Sequence, residues 1–159
     1  FVRAFLSQYD GRAVVDADAL RVVPEVDTDA DVICTPHQGE LVGMGGETAD
    51  DPDDRAALVR SFADAIGHTL LVKGAVDVVA DGTGVRLSRT GNPGMTVGGT
   101  GDVLAGAVGA LAAVTDPLHA AAAGAYVNGL AGDAAAEELG DGLVATDLLD
   151  RLPEAMRDD

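Results

Sequence analysis

A chain of 159 residues that is 47% hydrophobic holds one domain with a real core, and 3% aromatics leave that core to Val, Leu, Ala and Gly. With 27 acidic residues against 10 basic ones the formal charge is −17, which lacks the basic footprint of a nucleic-acid or anionic-membrane binder. Residues 103–114 are the nearest approach to a membrane span and are too short for one.

At the N-terminus, Arg3, Asp10 and Arg12 bracket only a brief apolar patch, so no secretory leader is expected. Arg12 to Leu20 is expected to form a short buried strand ending in the carboxylates of Asp16 and Asp18. Asp31 to Thr35 is a second strand, closed by Pro36, which interrupts a central ladder. Asp50-Asp51-Pro52 then offers an N-cap and a proline for the first helical position. Leu58, Val59, Phe62, Ala63 and Ile66 follow at helical spacing, and Gly67 supplies the stop. The rest of the Asp50–Asp54 run is a solvated surface. Thr69 to Gly74 is a strand of continuous apolar character, typical of a parallel sheet covered on both faces. Val76 to Ala80 and Val85 to Ser88 flank Asp81-Gly82-Thr83-Gly84 and predict a hairpin. Val103 to Val114 is a buried small-residue helix, Asp116-Pro117 caps another running to about Leu139, and Thr146 starts a last short one. Strands alternating with helices make this an α/β domain. The chain opens with no capping element ahead of its first strand, so residues 1–159 are expected to be one domain, incomplete on its N-terminal side.

The segment from Gly91 to Asp102 carries the most chemistry. Glycines at 98, 99 and 101 let the backbone crowd a ligand, and a helix begins immediately after them. Such a turn, with Thr100 inside it, presents unpaired N–H groups to an anion, an arrangement the helix dipole favours. Asp102 stands at that mouth, where a carboxylate meets a substrate hydroxyl beside a phosphate. A P-loop is excluded because Asp102-Val103 follows the last glycine where Lys-Ser or Lys-Thr is required. The dinucleotide fingerprint fails too, since Leu104 stands where its third glycine belongs. A purely structural glycine turn, with Asp102 as a simple cap, is the other reading.

Five pieces in order resemble the ribokinase-like family of ADP- or ATP-dependent NAD(P)H-hydrate dehydratases. They are Asp16-Ala17-Asp18-Ala19-Leu20, Thr35-Pro36-His37-Gln38-Gly39-Glu40, Leu71-Val72-Lys73-Gly74-Ala75, the run from Gly91 to Gly106, and Asn128-Gly129-Leu130-Ala131-Gly132-Asp133. The element Gly91-Asn92-Pro93-Gly94-Met95 distinguishes this family from sugar and vitamin kinases of the same fold. The resemblance implies a three-layer α/β/α fold with a mostly parallel sheet, present here as its C-terminal part, in a family whose members often carry an epimerase domain upstream. It also implies a repair reaction in which the ring hydroxyl of hydrated NADH or NADPH is phosphorylated and phosphate then leaves. ADP is the expected phosphoryl donor, giving AMP, with Mg²⁺ bridging its phosphates. A kinase of a vitamin precursor and a non-catalytic nucleotide-binding fragment are the alternatives.

By the same resemblance, Lys73, Gly74, Ala75, Val76 and Asp77 surround the AMP portion of the nucleotide, and Gly98, Gly99, Thr100 and Gly101 hold its phosphate. His37 and Asp102 contact the hydrated substrate, with Asp102 as the base. Phosphoryl transfer depends chiefly on positioning and electrostatics, so a modest base suffices. Glu40 either helps hold Mg²⁺ or caps the turn after it. Asn92 and Asn128 match family positions, although local turn hydrogen bonding explains them nearly as well. His68 and His119 belong to no motif, and no ligand spacing joins the histidines with Cys34, so no zinc site is expected.

Cys34 is the sole cysteine, so an internal disulfide is impossible and a reducing cytoplasm is expected, with the chain as a homo-oligomer. Lys73 is the only lysine, the other nine basic residues being arginine. Together with the charge of −17, this points to a salt-adapted protein of a halophilic archaeon, because high salt screens self-repulsion. An ordinary acidic protein is the simpler alternative.

Overall fold

The computed structural model describes residues 1–157 and lays five strands into one sheet, β1 (Arg12–Val15), β2 (Asp31–Cys34), β3 (Thr69–Val72), β4 (Asp77–Ala80) and β5 (Val85–Ser88), in that spatial order. β1 to β3 pair in parallel, Val15 lying opposite Cys34 and Cys34 opposite Leu70. β4 runs against both β3 and β5, so the expected hairpin is the antiparallel end of a sheet whose other strands share one direction.

The central strands are apolar on both faces because both faces are covered. Val32, Cys34, Leu70, Val72, Val78 and Ala80 pack with Val59 and Ala63 of α3 (Pro52–Ile66). Ile33, Leu71 and Val79, one step out of phase, pack with Leu104 and Val108 of α4 (Thr100–Ala112) and with Ala121 and Ala125 of α5 (Pro117–Leu139). A third apolar cluster joins Ala131 and Ala135 of α5 to Leu148 of α6 (Ala145–Leu149), with Leu152 of α7 (Leu152–Ala155) against it. The period-2 alternation thus distributes the core between two helical layers.

Helix boundaries follow the capping chemistry. Asp51 Oδ1 accepts from the N–H groups of Asp53 at 2.9 Å and Asp54 at 3.1 Å, and Gly67 closes α3 at φ 71°. Asp116 Oδ1 accepts from His119 N–H at 3.1 Å and starts α5.

Several boundaries differ from the sequence expectation: β2 ends at Cys34 and not Thr35, β4 begins at Asp77 and not Val76, and α4 begins at Thr100, taking in Gly101 and Asp102, and ends at Ala112. The first strand stops at Val15. Asp16 is still extended, but Ala17 takes φ 56°, the left-handed region that breaks an extended ladder, and residues 17–25 form a 3₁₀ helix. A short helix, α1 (Val2–Leu6), precedes β1, where no capping element was expected. β3 ends at Val72, since Lys73 N–H donates to the Pro36 carbonyl at 2.8 Å beyond the ladder. α6 begins at Ala145, with the Asp147 carboxylate accepting from Val144 N–H at 2.8 Å.

Candidate active site

Asp16, His37 and Lys73 all lie just past the carboxyl ends of parallel strands, which is where an open α/β sheet offers its crevice. Lys73 Nζ donates to Asp16 Oδ1 at 3.0 Å and stands 3.8 Å from Glu40 Oε2. The glycine turn reaches this group from the other side. A Cβ on Gly101 would lie 3.4 Å from Lys73 Nζ and 3.7 Å from Asp16 Oδ2, so the ion pair rests directly on the first turn of α4.

Gly99 has φ 98°, and a Cβ there would meet the Ala145 Cβ at 2.9 Å, so both conformation and space demand glycine. Thr100 Oγ1 donates to the carbonyls of Met95 at 2.8 Å and Val97 at 3.0 Å, folding the loop back on itself. Asp102 follows in the first turn of α4 with its side chain in solvent.

Two cavities flank the Lys73–Asp16–Glu40 group. The larger, about 460 Å³, takes Lys73, Gly74, Ala75 and Asp77 on one side, Thr90 to Pro93 with Met95 on another, and Thr100, Leu104, Ala125 and Asn128 as its floor. The smaller, about 270 Å³, is lined by Ala17, Asp18, Arg21, His37 and Glu40, among others. The expected nucleotide segment therefore does line one cleft with Thr100, and His37 lines the other. Gly98, Gly99, Gly101 and Asp102 are not among the residues that line either cavity, and Val76, also outside the lining, contributes a carbonyl to Arg55 Nη2 at 3.0 Å.

His37 and Glu40 form a reciprocal cap on α2 (Gln38–Gly43). His37 Nδ1 accepts from Glu40 N–H at 3.1 Å, and Glu40 Oε2 accepts from His37 N–H at 2.7 Å. Glu40 thus has the capping role of its two candidate roles. An Nδ1 that accepts carries no proton, so the ring proton sits on Nε2, which stands 3.6 Å from Glu40 Oε1.

The Lys73–Asp77 turn is held from within. Gly74 N–H donates to Asp77 Oδ1 at 2.9 Å. Burial pushes the Asp77 carboxyl up to about 6, against the opposing pull of that hydrogen bond and of the Lys73 and Arg55 charges. Arg55 is buried on α3, where its Nη1 and Nη2 donate to Ala49 and Val76 carbonyls at 3.2 and 3.0 Å. Burial also raises the Cys34 thiol to about 12, which removes it from thiolate chemistry.

The Asn128–Asp133 segment has a role that sequence reasoning missed. It lies inside α5, not in a turn, and docks the Gly91–Met95 loop. Asp133 accepts from Gly91 N–H at 2.9 Å and from Asn92 Nδ2 at 3.0 Å. Gly129 backs onto Thr90 and Gly132 onto Met95. Asn92 does make the expected turn bond, accepting from Gly94 N–H at 3.0 Å. Asn128 is 5% exposed, and its Oδ1 has no hydrogen-bond partner among the described residues. Asp16, Arg55 and Asp133 were not singled out as site residues. Asp16 carried a signal as the carboxylate at the end of an expected strand, Asp16 and Asp133 both stand in segments that resemble the family, and Arg55 carried none.

The family profile described as NAD(P)H-hydrate dehydratase matches residues 1–154. A bifunctional NAD(P)H-hydrate repair enzyme of Pyrobaculum aerophilum is 49% identical over 146 residues, covering 91% of this chain and 29% of its own length. An ADP-dependent (S)-NAD(P)H-hydrate dehydratase of Cenarchaeum symbiosum is 45% identical over 157 residues, covering 96% and 54%. The ADP/ATP-dependent NAD(P)H-hydrate dehydratase of Bacillus subtilis, crystallised with ATP and Mg²⁺, superposes with a TM-score of 0.83 at 31% identity, over 94% of this chain and 56% of that one. The chain thus spans between about a third and about half of the length of these relatives.

Proposed function

This chain belongs to the NAD(P)H-hydrate dehydratase family, and from that premise we propose that it repairs hydrated NADH or NADPH with ADP as phosphoryl donor. The observation that supports the proposal is the approach of Gly101, one residue before Asp102, to the Lys73–Asp16 pair, where a Cβ would lie 3.4 Å from Lys73 Nζ and 3.7 Å from Asp16 Oδ2.

In this reading ADP occupies the larger cleft. Its adenosine lies over Leu104, Ala125 and Met95, and its phosphates turn toward Lys73 and the amides of Gly99 to Gly101 at the N-terminus of α4. The hydrated nicotinamide ring enters from the His37 side, where Nε2–H donates to it. The ring hydroxyl oxygen bonds to the β-phosphorus as the bond to AMP breaks, and the hydroxyl proton passes to the Asp102 carboxylate. Phosphate then leaves with the C–O bonding pair, and loss of a proton from the adjacent carbon restores the ring double bond. The products are NAD(P)H, AMP and phosphate.

Mg²⁺, when bound, neutralises charge on the transferring phosphate. An ion of this kind is ordinarily held through phosphate oxygens and water.

Turnover of hydrated NADH by this chain with ADP and Mg²⁺ in molar KCl, followed by the return of reduced-nicotinamide absorbance, tests the reading. Recovery that requires ADP and releases AMP supports it. A phosphorylated product that accumulates without elimination would replace it with a kinase of the same fold. Adenine-nucleotide binding without turnover of any substrate would replace it with a nucleotide-binding fragment.

A further inference from the structure

Both substrates of the proposed reaction are polyanions, and this chain carries 10 basic residues against 27 acidic ones. Of the cations near the strand ends, Lys73 and Arg55 are already engaged, and Arg89, just past β5, lines neither cavity. Lys73 is bonded to Asp16 and lies near Glu40, and Arg55 is buried with both Nη atoms on carbonyls. Farther away, Arg3 pairs with Glu25, Arg12 with Asp31, and Arg151 with Glu138.

Arg21 is different. It is the only arginine lining either cavity, it is exposed on the 3₁₀ helix, and it has no hydrogen-bond or ion-pair partner among the described residues. It shares the smaller cavity with His37, whose Nδ1 is tied into the α2 cap and whose Nε2 stands 3.6 Å from Glu40 Oε1. The same cavity holds Asp18 and Glu40, so an anion entering it meets two carboxylates and needs a cation beside it. At about 270 Å³ the cavity lies just below the ~300–1,000 Å³ of typical ligand pockets, so it takes one end of a dinucleotide and not the whole.

We propose that Arg21 binds a phosphate group of the hydrated dinucleotide in the cavity beside His37, through the bidentate N–H···O pair that a guanidinium offers. The proposal rests on the dehydratase reading of the site. With the nicotinamide ring at His37 and room for only one end of the dinucleotide, the phosphate within reach is the bridging pyrophosphate common to the NADH and NADPH forms, which makes Arg21 a general anchor.

The experiment is calorimetric titration of NADPH and NADH onto the full chain at one fixed KCl concentration, with the larger cleft filled by AMP. Arg21→Gln and Arg21→Lys are compared with the unaltered chain, and AMP affinity serves as the control for folding. Arg21→Gln is expected to lose at least about tenfold in NADPH affinity, with Arg21→Lys recovering part of the loss and AMP affinity unchanged in both. Equal loss for NADPH and NADH is the expected result, and loss confined to NADPH overturns the assignment to the pyrophosphate. Equal dinucleotide affinities in the unaltered chain and Arg21→Gln overturn the proposal, as does absence of dinucleotide binding to the unaltered chain. Arg21-dependent binding without ADP-dependent turnover defeats the dehydratase reading and leaves the phosphate site standing.

Discussion

Asp102 is exposed in the first turn of α4, directly after a glycine packed against the Lys73–Asp16 pair. Its proposed work is proton transfer, so Asp102→Asn, which keeps shape and hydrogen-bonding capacity, isolates the chemistry. Steady-state kinetics are expected to show kcat lower by roughly 10²–10⁴-fold, with ADP affinity within about threefold of the unaltered chain. Asp77 is a different kind of carboxylate. Its pKa in the fold, about 6, lies above the ordinary 3.8 because burial disfavours the charged form. The unfolded chain gives up this proton more readily, so the stabilising contribution is complete below about pH 4 and is lost as pH rises through 6. Asp77→Asn keeps an acceptor for the Gly74 N–H and removes the desolvated charge. Thermal melts are expected to find the variant level with the unaltered chain at pH 4 and more stable at pH 7.5, by at most about 3 kcal/mol. A difference independent of pH would show that burial does not raise the Asp77 pKa above its unfolded value.

At the scale of elements, α5 does more than cover the sheet. Its middle packs under the sheet through Ala121 and Ala125, and its next two turns present Gly129, Gly132 and Asp133 to the Gly91–Met95 loop that closes the larger cleft. Gly129→Ala tests this docking. Intrinsic helix preference favours the change by about 1 kcal/mol. The new Cβ, however, would lie 2.6 Å from the Thr90 carbonyl carbon, a backbone atom that moves only with its loop. Overpacking of about 1–3 kcal/mol outweighs the helical gain. The expected outcome is a lower denaturation midpoint with weaker ADP binding, and a more stable variant would show that the loop is not docked this way. The first strand makes the same point in reverse. Past Val15 the sequence alternates Asp and Ala as far as Leu20, a pattern an extended strand could carry, yet the left-handed Ala17 turns the chain out of the sheet and leaves Asp16 bonded to Lys73.

For the whole molecule, the charge of −17 dominates. Ion pairs such as Arg3–Glu25 and His119–Asp116 are exposed at both partners, and pairs of that kind contribute about 0–1 kcal/mol each. Molar salt weakens those pairs, but it weakens the excess repulsion more, since the Debye length falls to about 3 Å. We propose salt adaptation on this ground, and the unfolding midpoint followed by circular dichroism is expected to rise from dilute to molar KCl. A flat or falling midpoint would return the chain to the ordinary acidic proteins. No described helix is long and apolar enough to cross a membrane.

The sequence by itself determined what is local. The Asp51 and Asp116 caps, the Gly67 stop, the hairpin about Asp81–Gly84 and the glycine turn ahead of α4 follow from backbone chemistry within a few residues, and the structure keeps each of them. The apolar character of β3 likewise announced a sheet covered twice, because no other environment accepts Leu70, Leu71 and Val72 in a row. Tertiary structure decided what depends on residues far apart in the chain. Lys73 finds Asp16 across 57 positions, and Asp133 finds Gly91 across 42. Arg55 becomes a buried clamp only because α3 packs against β3 and β4, and Arg21 becomes a lining residue only because Ala17 breaks the strand. Hydrogen bonds and charge pairs act over a few ångströms of space, while the sequence records only distance along the chain.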